Sequence, residues 1–214
     1  MFFDNYFIKN YNLLLAQKKT TNRIAWLDQL KGFGIILMVY GHNFPALEEY
    51  IYSFHMPLFF IVAGMFHPKK MNITIIKKRV QQVLIPYFIW SFMLFGFWLF
   101  IGRKFGESAL LDLSITKNFT GIFFAQGDID YMNWGIPMWF LPTIFLTFLL
   151  FGLILKIKNK YFQYCILFMS IVSGFLISNI YSLFLFWSLD VALVSLFFYS
   201  FGFYAKNFFI SNKK

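Results

Sequence analysis

An acid, a base and an imidazole share one apolar stretch. Residues 27–43 read LDQLKGFGIILMVYGHN and hold Asp28, Lys31 and His42. In a helix, the eleven residues from Lys31 to His42 return to nearly the same face about 16 Å along the axis. Asp28, three residues before Lys31, lies near that face as well. The stripe runs Asp28, Lys31, Ile35, Met38, His42. A charge in lipid is costly, so such a stripe normally faces a bundle interior or a water-filled path. An Asp28–Lys31 ion pair at the membrane boundary, with Lys31 reaching for the interface, is the simpler reading of the first two residues. That pair does not account for His42, at the far end.

Other polar residues in apolar runs extend the candidate site. His55 stands in SFHMPLFF, two residues before Pro57. A short acidic turn, FPALEE, joins it to the His42 stretch, which brings two imidazoles to neighbouring helix ends. Either can serve as general base, hydrogen-bond donor or ligand, or one can be a packed polar residue. Three His and one Cys in the chain argue against a metal site. His67, next to PKK, reads as interfacial. Asp190 falls near the start of the last apolar run, where a carboxylate favours a helix N-terminus; a part in the site is the alternative. Lys77, Lys78 and Arg79 precede VQQVLIPYFIW and read as a topology anchor that can also meet phosphate groups.

The elements that must position these groups are transmembrane helices. Of 214 residues, 59% are hydrophobic and only 13% charged, which a soluble domain does not usually hide. The expected fold is all-α, a bundle of six spans at about 30–47, 50–67, 83–102, 135–155, 161–178 and 184–205. Pro57 is expected to tilt or distort the second. With the N-terminus in the cytoplasm, fifteen of the nineteen Lys and Arg fall in inside segments, as the positive-inside rule requires. Both termini are then cytoplasmic. The net charge of +10 reads as topology, not nucleic-acid binding. Residues 1–22 form a cytoplasmic or interfacial lead-in without the ordered regions of a cleavable signal peptide. The transmembrane domain covers 23–207, and 208–214 is a basic cytoplasmic tail. The long outside segment, roughly 103–134, is expected to lie partly against the membrane surface. No internal repeat is visible, and the single Cys165 excludes an intrachain disulfide.

RIAWLDQLKGFGIILMVYGH followed by IYSFHMPLFFIVAGMF resembles the start of the acyltransferase-3 family, integral membrane O-acyltransferases that modify sugars. The bacterial fucose 4-O-acetylases and exopolysaccharide O-acetylases are the most similar group. The family's paired basic residue and histidine match Lys31 and His42. Its His-x-Pro-x-Phe-Phe helix matches His55, Pro57, Phe59 and Phe60, with Ala63-Gly64 in place of the usual Ser-Gly. Its basic run before a Pro-containing helix matches Lys78, Arg79 and Pro86. MWFLPTIFL, with Trp139 and Phe140, resembles its Trp-Phe-Leu helix, and WSLDVALVSLFFYSFGFYAKN a later one. Family members are longer, so the resemblance is to the N-terminal two-thirds of the domain, either a truncated product or a short form completed by a partner subunit or a homo-oligomer.

The resemblance implies a multi-pass protein of the bacterial plasma membrane, among its lipids, that moves an acetyl group from acetyl-CoA to a sugar hydroxyl of a cell-surface polysaccharide or its precursor. Acetyl-CoA is a substrate, and no resident cofactor is implied. The catalytic set would be His42, Lys31, His55 and Asp28, with His42 as general base or transient acyl carrier. Lys77, Lys78 and Arg79 would hold the CoA phosphates, and Asp190 and Trp139 the acceptor. A glycan-precursor transporter and a non-catalytic membrane subunit are the rival readings; the missing repeat counts against the first.

Overall fold

The computed structural model describes residues 25–43, 47–181 and 185–211. The lead-in 1–22, the start of the acidic turn and residues 212–214 of the tail lie outside them. Helix is the only regular structure among the described residues. Four segments are long and apolar enough to cross a membrane: Ile73–Lys104, Ile136–Ile154, Lys160–Asn179 and Phe186–Phe208. They correspond to the third to sixth expected spans. The first two expected spans are also helices, α1 (Ala25–Gly41) and α2 (Glu48–Met65), but do not join those four. α1 has 17 residues and carries Asp28 and Lys31; α2 opens on Glu48 and Glu49. Short length and ionised residues weaken both as lipid-spanning segments.

The chain divides into two compact units, Met1–His55 and Met56–Lys214. In the first, the buried positions of α1 are Leu27, Gly34 and Gly41, seven apart and therefore on one face. A β-carbon on Gly41 would come within 3.4 Å of Ile51 and 3.5 Å of Tyr52. The end of α1 thus meets the start of α2 at ordinary contact distance. The polar stripe lies one position round from this seam. Asp28, Ile35 and His42 are exposed, and Lys31 and Met38 half-buried. Within this unit the stripe is therefore open, and Leu27, Gly34 and Gly41 take the covered face.

The second unit begins in the later half of α2, which stays α-helical through Pro57 to Met65. α3 (Ile73–Arg79) and α4 (Ile85–Phe100) flank a π-helical turn, Val80–Leu84, in which Ile85 N–H bonds Val80 O. Pro86 explains the widened turn. Its ring would crowd the carbonyl four residues back, and the extra residue relieves that contact. α7 (Phe140–Ile154), α8 (Lys160–Leu176) and α9 (Leu189–Ser211) complete the main bundle. Phe60, Phe148, Phe151, Leu167, Leu196 and Tyr199 form its core. Two glycines set the crossing of α2 and α9. A β-carbon on Gly64 would collide with the Tyr199 carbonyl, and one on Gly202 with the Ile61 carbonyl. Small residues permit this backbone approach in helices that have no hydrophobic drive to associate in lipid.

The segment between α4 and α7 folds as a cap around a second core of Tyr87, Trp98, Ile122, Met132 and Trp134. Its helices are α5 (Ile115–Phe124) and α6 (Ile129–Met132). Asn118, fully buried, organises it. Its Nδ2 donates to Asp130 O at 2.8 Å and Ser114 O at 3.2 Å, and its Oδ1 accepts from Asn133 N–H at 3.0 Å. Trp134 Nε1 donates to its carbonyl at 2.9 Å. Tyr87 and Trp98 of α4 tie into the cap through Ile122 O and Asn133 Oδ1. Phe119, Phe123 and Phe124 leave an apolar face of α5 exposed.

Candidate functional site

His42 sits one residue past α1, on the turn that continues it. Its Nδ1 donates to the Met38 carbonyl at 2.7 Å. His55, inside α2, repeats the arrangement with the Ile51 carbonyl at 2.8 Å. A carbonyl only accepts, so each Nδ1 carries a proton, and Nε2 is the position that can act as a base when the ring holds only that one. The two differ in surroundings. His42 is exposed; His55 is fully buried and its Nε2 has no partner among the described residues. Tyr52 stands edge-on between them, with ring centres 5.7 Å from His42 and 5.0 Å from His55. His42 thus lies just past α1 and His55 inside the first half of α2, and both rings pack on Tyr52. Tyr52 escaped the sequence reading; its spacing of three from His55, on one helix face, was the available signal.

Lys31 Nζ lies 3.9 Å from Asp28 Oδ1, with both side chains more than 40% exposed. The expected Asp28–Lys31 ion pair is thus present, and its Coulomb energy is modest at such exposure. Asp28 also occupies the first turn of α1, where a carboxylate complements the helix dipole. A rise of about 1.5 Å per residue separates both from His42 by roughly 16 Å or more. Acid and base therefore serve the other end of the helix.

In the second unit the basic run splits. Lys77 and Lys78 are exposed, while Arg79 is half-buried and its guanidinium lies over the Phe148 ring at 5.2 Å, a cation–π contact. The Arg79 charge reaches both His67 and Tyr199. His67 corrects the interfacial expectation. It is 4% exposed, enclosed by Phe148, Phe151 and Phe203, and its Nδ1 pairs with the Tyr199 hydroxyl at 2.9 Å. Burial pushes its imidazole down to about 4, helped by the Arg79 charge. The PKK neighbours hid this, because Pro68 turns the chain so that the lysines face out while the ring before them packs in.

Trp139 and Asp190 come to one region through Thr143. Thr143 Oγ1 lies 2.8 Å from the Trp139 carbonyl and 3.1 Å from the Trp187 carbonyl, and Trp187 is three residues before Asp190. Trp187 and Ser188 have positive φ, 55° and 47°, the left-handed region that costs non-glycine residues energy. Trp187 Nε1 to Phe123 O at 3.0 Å and Ser188 Oγ to Ala125 O at 3.1 Å hold the turn. Asp190 follows in the first turn of α9, 8% exposed, its Oδ1 without a hydrogen-bond partner among the described residues.

A family model described as an acyltransferase domain, acyltransferase-3, matches residues 24–214. No curated protein and no solved structure matches the chain.

Proposed function

The chain belongs to the acyltransferase-3 family, a multi-pass membrane family of acyl-group transferases, and on that premise we propose that it transfers an acetyl group from acetyl-CoA to a sugar hydroxyl of a cell-surface polysaccharide or its precursor. The observation that carries this reading is His42: an exposed imidazole whose Nδ1 is held by the Met38 carbonyl, which leaves Nε2 as the atom free to serve as a base. Nε2 takes the proton of the acceptor hydroxyl as its oxygen attacks the thioester carbonyl. The C–S bond then breaks, and the CoA sulfur leaves as thiolate and collects a proton. Attack by Nε2 itself, giving an acyl-imidazole, is the two-step form of the same transfer.

Lys31, with Asp28 beside it, steers the negatively charged donor at the far end of α1. His55 supports His42 through the intervening Tyr52. Lys77, Lys78 and Arg79 meet donor phosphates, and Asp190 with Trp139 contacts the acceptor. The proposal includes α1 and α2 as membrane spans, six in all, with both termini cytoplasmic in a bacterial plasma membrane; the distribution of Lys and Arg supports it. A glycan-precursor transporter or a non-catalytic membrane subunit is the competing assignment.

Purified protein with radiolabelled acetyl-CoA and candidate sugars separates these. Label in the sugar that is lost in His42→Ala supports the transferase. Equal transfer by wild type and His42→Ala removes His42 from the chemistry, and movement of intact glycan without label favours the transporter.

A further inference from the structure

A cavity of about 280 Å³ opens beside the loop between α2 and α3. His67 forms its floor, Met71 and Gly152 its walls, and Lys69, Lys70 and Lys156 its rim. None of the residues lining it is acidic, so three cations face one small space without a carboxylate to neutralise them. A lysine cluster on a surface is ordinarily a solvated face. Here the floor makes the difference. His67 is 4% exposed, and its Nε2 has no hydrogen-bond partner among the described residues. A buried polar atom left unpaired is costly unless a ligand or water completes it.

The tautomer follows from the neighbours. Arg79 acts on the Tyr199 hydroxyl and can only donate, so it favours the phenol oxygen as acceptor. The phenol proton then goes to His67 Nδ1, 2.9 Å away. That leaves the imidazole proton on Nε2, enclosed on the side of the ring nearest Gly152. Gly152 makes room there for the flexible Met71 thioether, which a β-carbon would displace, so Met71 is the side chain that covers Nε2 from the cavity.

We infer that this cavity binds a phosphate group, with His67 Nε2–H donating at the floor as the flexible Met71 thioether moves aside, and Lys69, Lys70 and Lys156 closing around the remaining oxygens. Charge-assisted bonds of this kind are the strong class. The volume is at the small end for ligand pockets, so it fits a headgroup, not a whole cofactor. Two sources carry such a group here, a soluble nucleotide such as the 3′-phosphorylated adenosine of a CoA donor, and an anionic phospholipid. The inference goes beyond acyl transfer and stands without it.

The test uses the full chain in nanodiscs of phosphatidylcholine, titrated by calorimetry with adenosine 3′,5′-bisphosphate, and with phosphate-free pantetheine as control. A parallel arm compares melting in phosphatidylcholine and phosphatidylglycerol discs. Bisphosphate binding that weakens about tenfold or more in Lys69→Gln/Lys70→Gln/Lys156→Gln, with none for pantetheine, supports the site and a soluble ligand. Stabilisation by phosphatidylglycerol that the same variant loses, without nucleotide binding, supports the site and a lipid ligand. If neither occurs, or if the variant responds as wild type does, the inference is overturned. Should the triple variant fail to fold, Lys156→Gln alone is decisive, since undiminished binding there overturns the inference equally. A protein that binds bisphosphate but transfers no acetyl group refutes the acyl-transfer reading and leaves this site standing.

Discussion

His42 and His55 are the same side chain in the same backbone-bonded form, yet their burial assigns them different work. An exposed base can meet a substrate hydroxyl; an enclosed one can only act through a neighbour, here Tyr52. His42→Ala is expected to lower acetyl transfer by about 100-fold or more, the usual worth of a general base. Tyr52→Phe, which keeps the ring between the two imidazoles, is expected to retain most of the activity, and Tyr52→Ala to lose it through KM and kcat together. Radiolabel transfer reads all three.

His67 gives a pH signature of a different kind. Its folded value of about 4 lies below its ordinary 6.5, so as pH falls the unfolded chain takes up the proton first. Stability contributed by the neutral ring is complete above pH 6.5 and is lost as pH drops toward 4. Melting temperature in detergent from pH 8 to 4 should fall more steeply in wild type than in His67→Phe. The histidine was plain in the sequence. Its burial was not, because it depends on Tyr199 and Phe203, more than a hundred residues away, and no local pattern records that.

Elements were more legible than contacts. The apolar runs located the four long helices because lipid demands about 20 apolar residues whatever packs beside them. The covered face of α1 is harder to read. Polarity marks residues that need partners, but Leu27, Gly34 and Gly41, its buried positions, carry no such mark, and glycine instead leaves room for close approach. The crossing of α2 and α9 depends on the same property. Gly64→Ala and Gly202→Ala are each expected to destabilise the protein by about 1–3 kcal/mol, as overpacking does, while Gly96→Ala on open α4 surface should be neutral or slightly stabilising. Thermal unfolding in one detergent compares them. Thr143→Val should cost about 1 kcal/mol by removing the hydroxyl shared between the Trp139 and Trp187 carbonyls.

For the whole molecule, the charge distribution makes a claim that the helices alone do not. The proposed topology puts Lys77, Lys78, Lys156, Lys158 and Lys160 on one side of the membrane, and Asp112, Asp128 and Asp130 on the other. In a Cys165→Ser background, cysteines placed at Asp112 and Lys158 should react with an impermeant maleimide from opposite faces of inverted and right-side-out vesicles. Labelling of both from the same face would overturn the topology. The sorting of Lys and Arg is a bulk property, so sequence alone can frame this expectation. The cap between α4 and α7 lies beyond such a reading, because that fold turns on one buried amide.

That amide has a practical consequence. Asn118-Phe119-Thr120 is an acceptor sequence for N-linked glycosylation, on the side that would face the lumen if the protein were made in a eukaryotic secretory membrane. A glycan attached to Nδ2 during synthesis would consume the donor to Asp130 O and could not enter a site with no exposed surface. Such a host would mark the chain where it must close. Asn118→Gln is the wrong remedy, since it dismantles the network. Thr120→Val ends recognition while giving up only the hydroxyl bond to the Lys117 carbonyl, and is the form to express there.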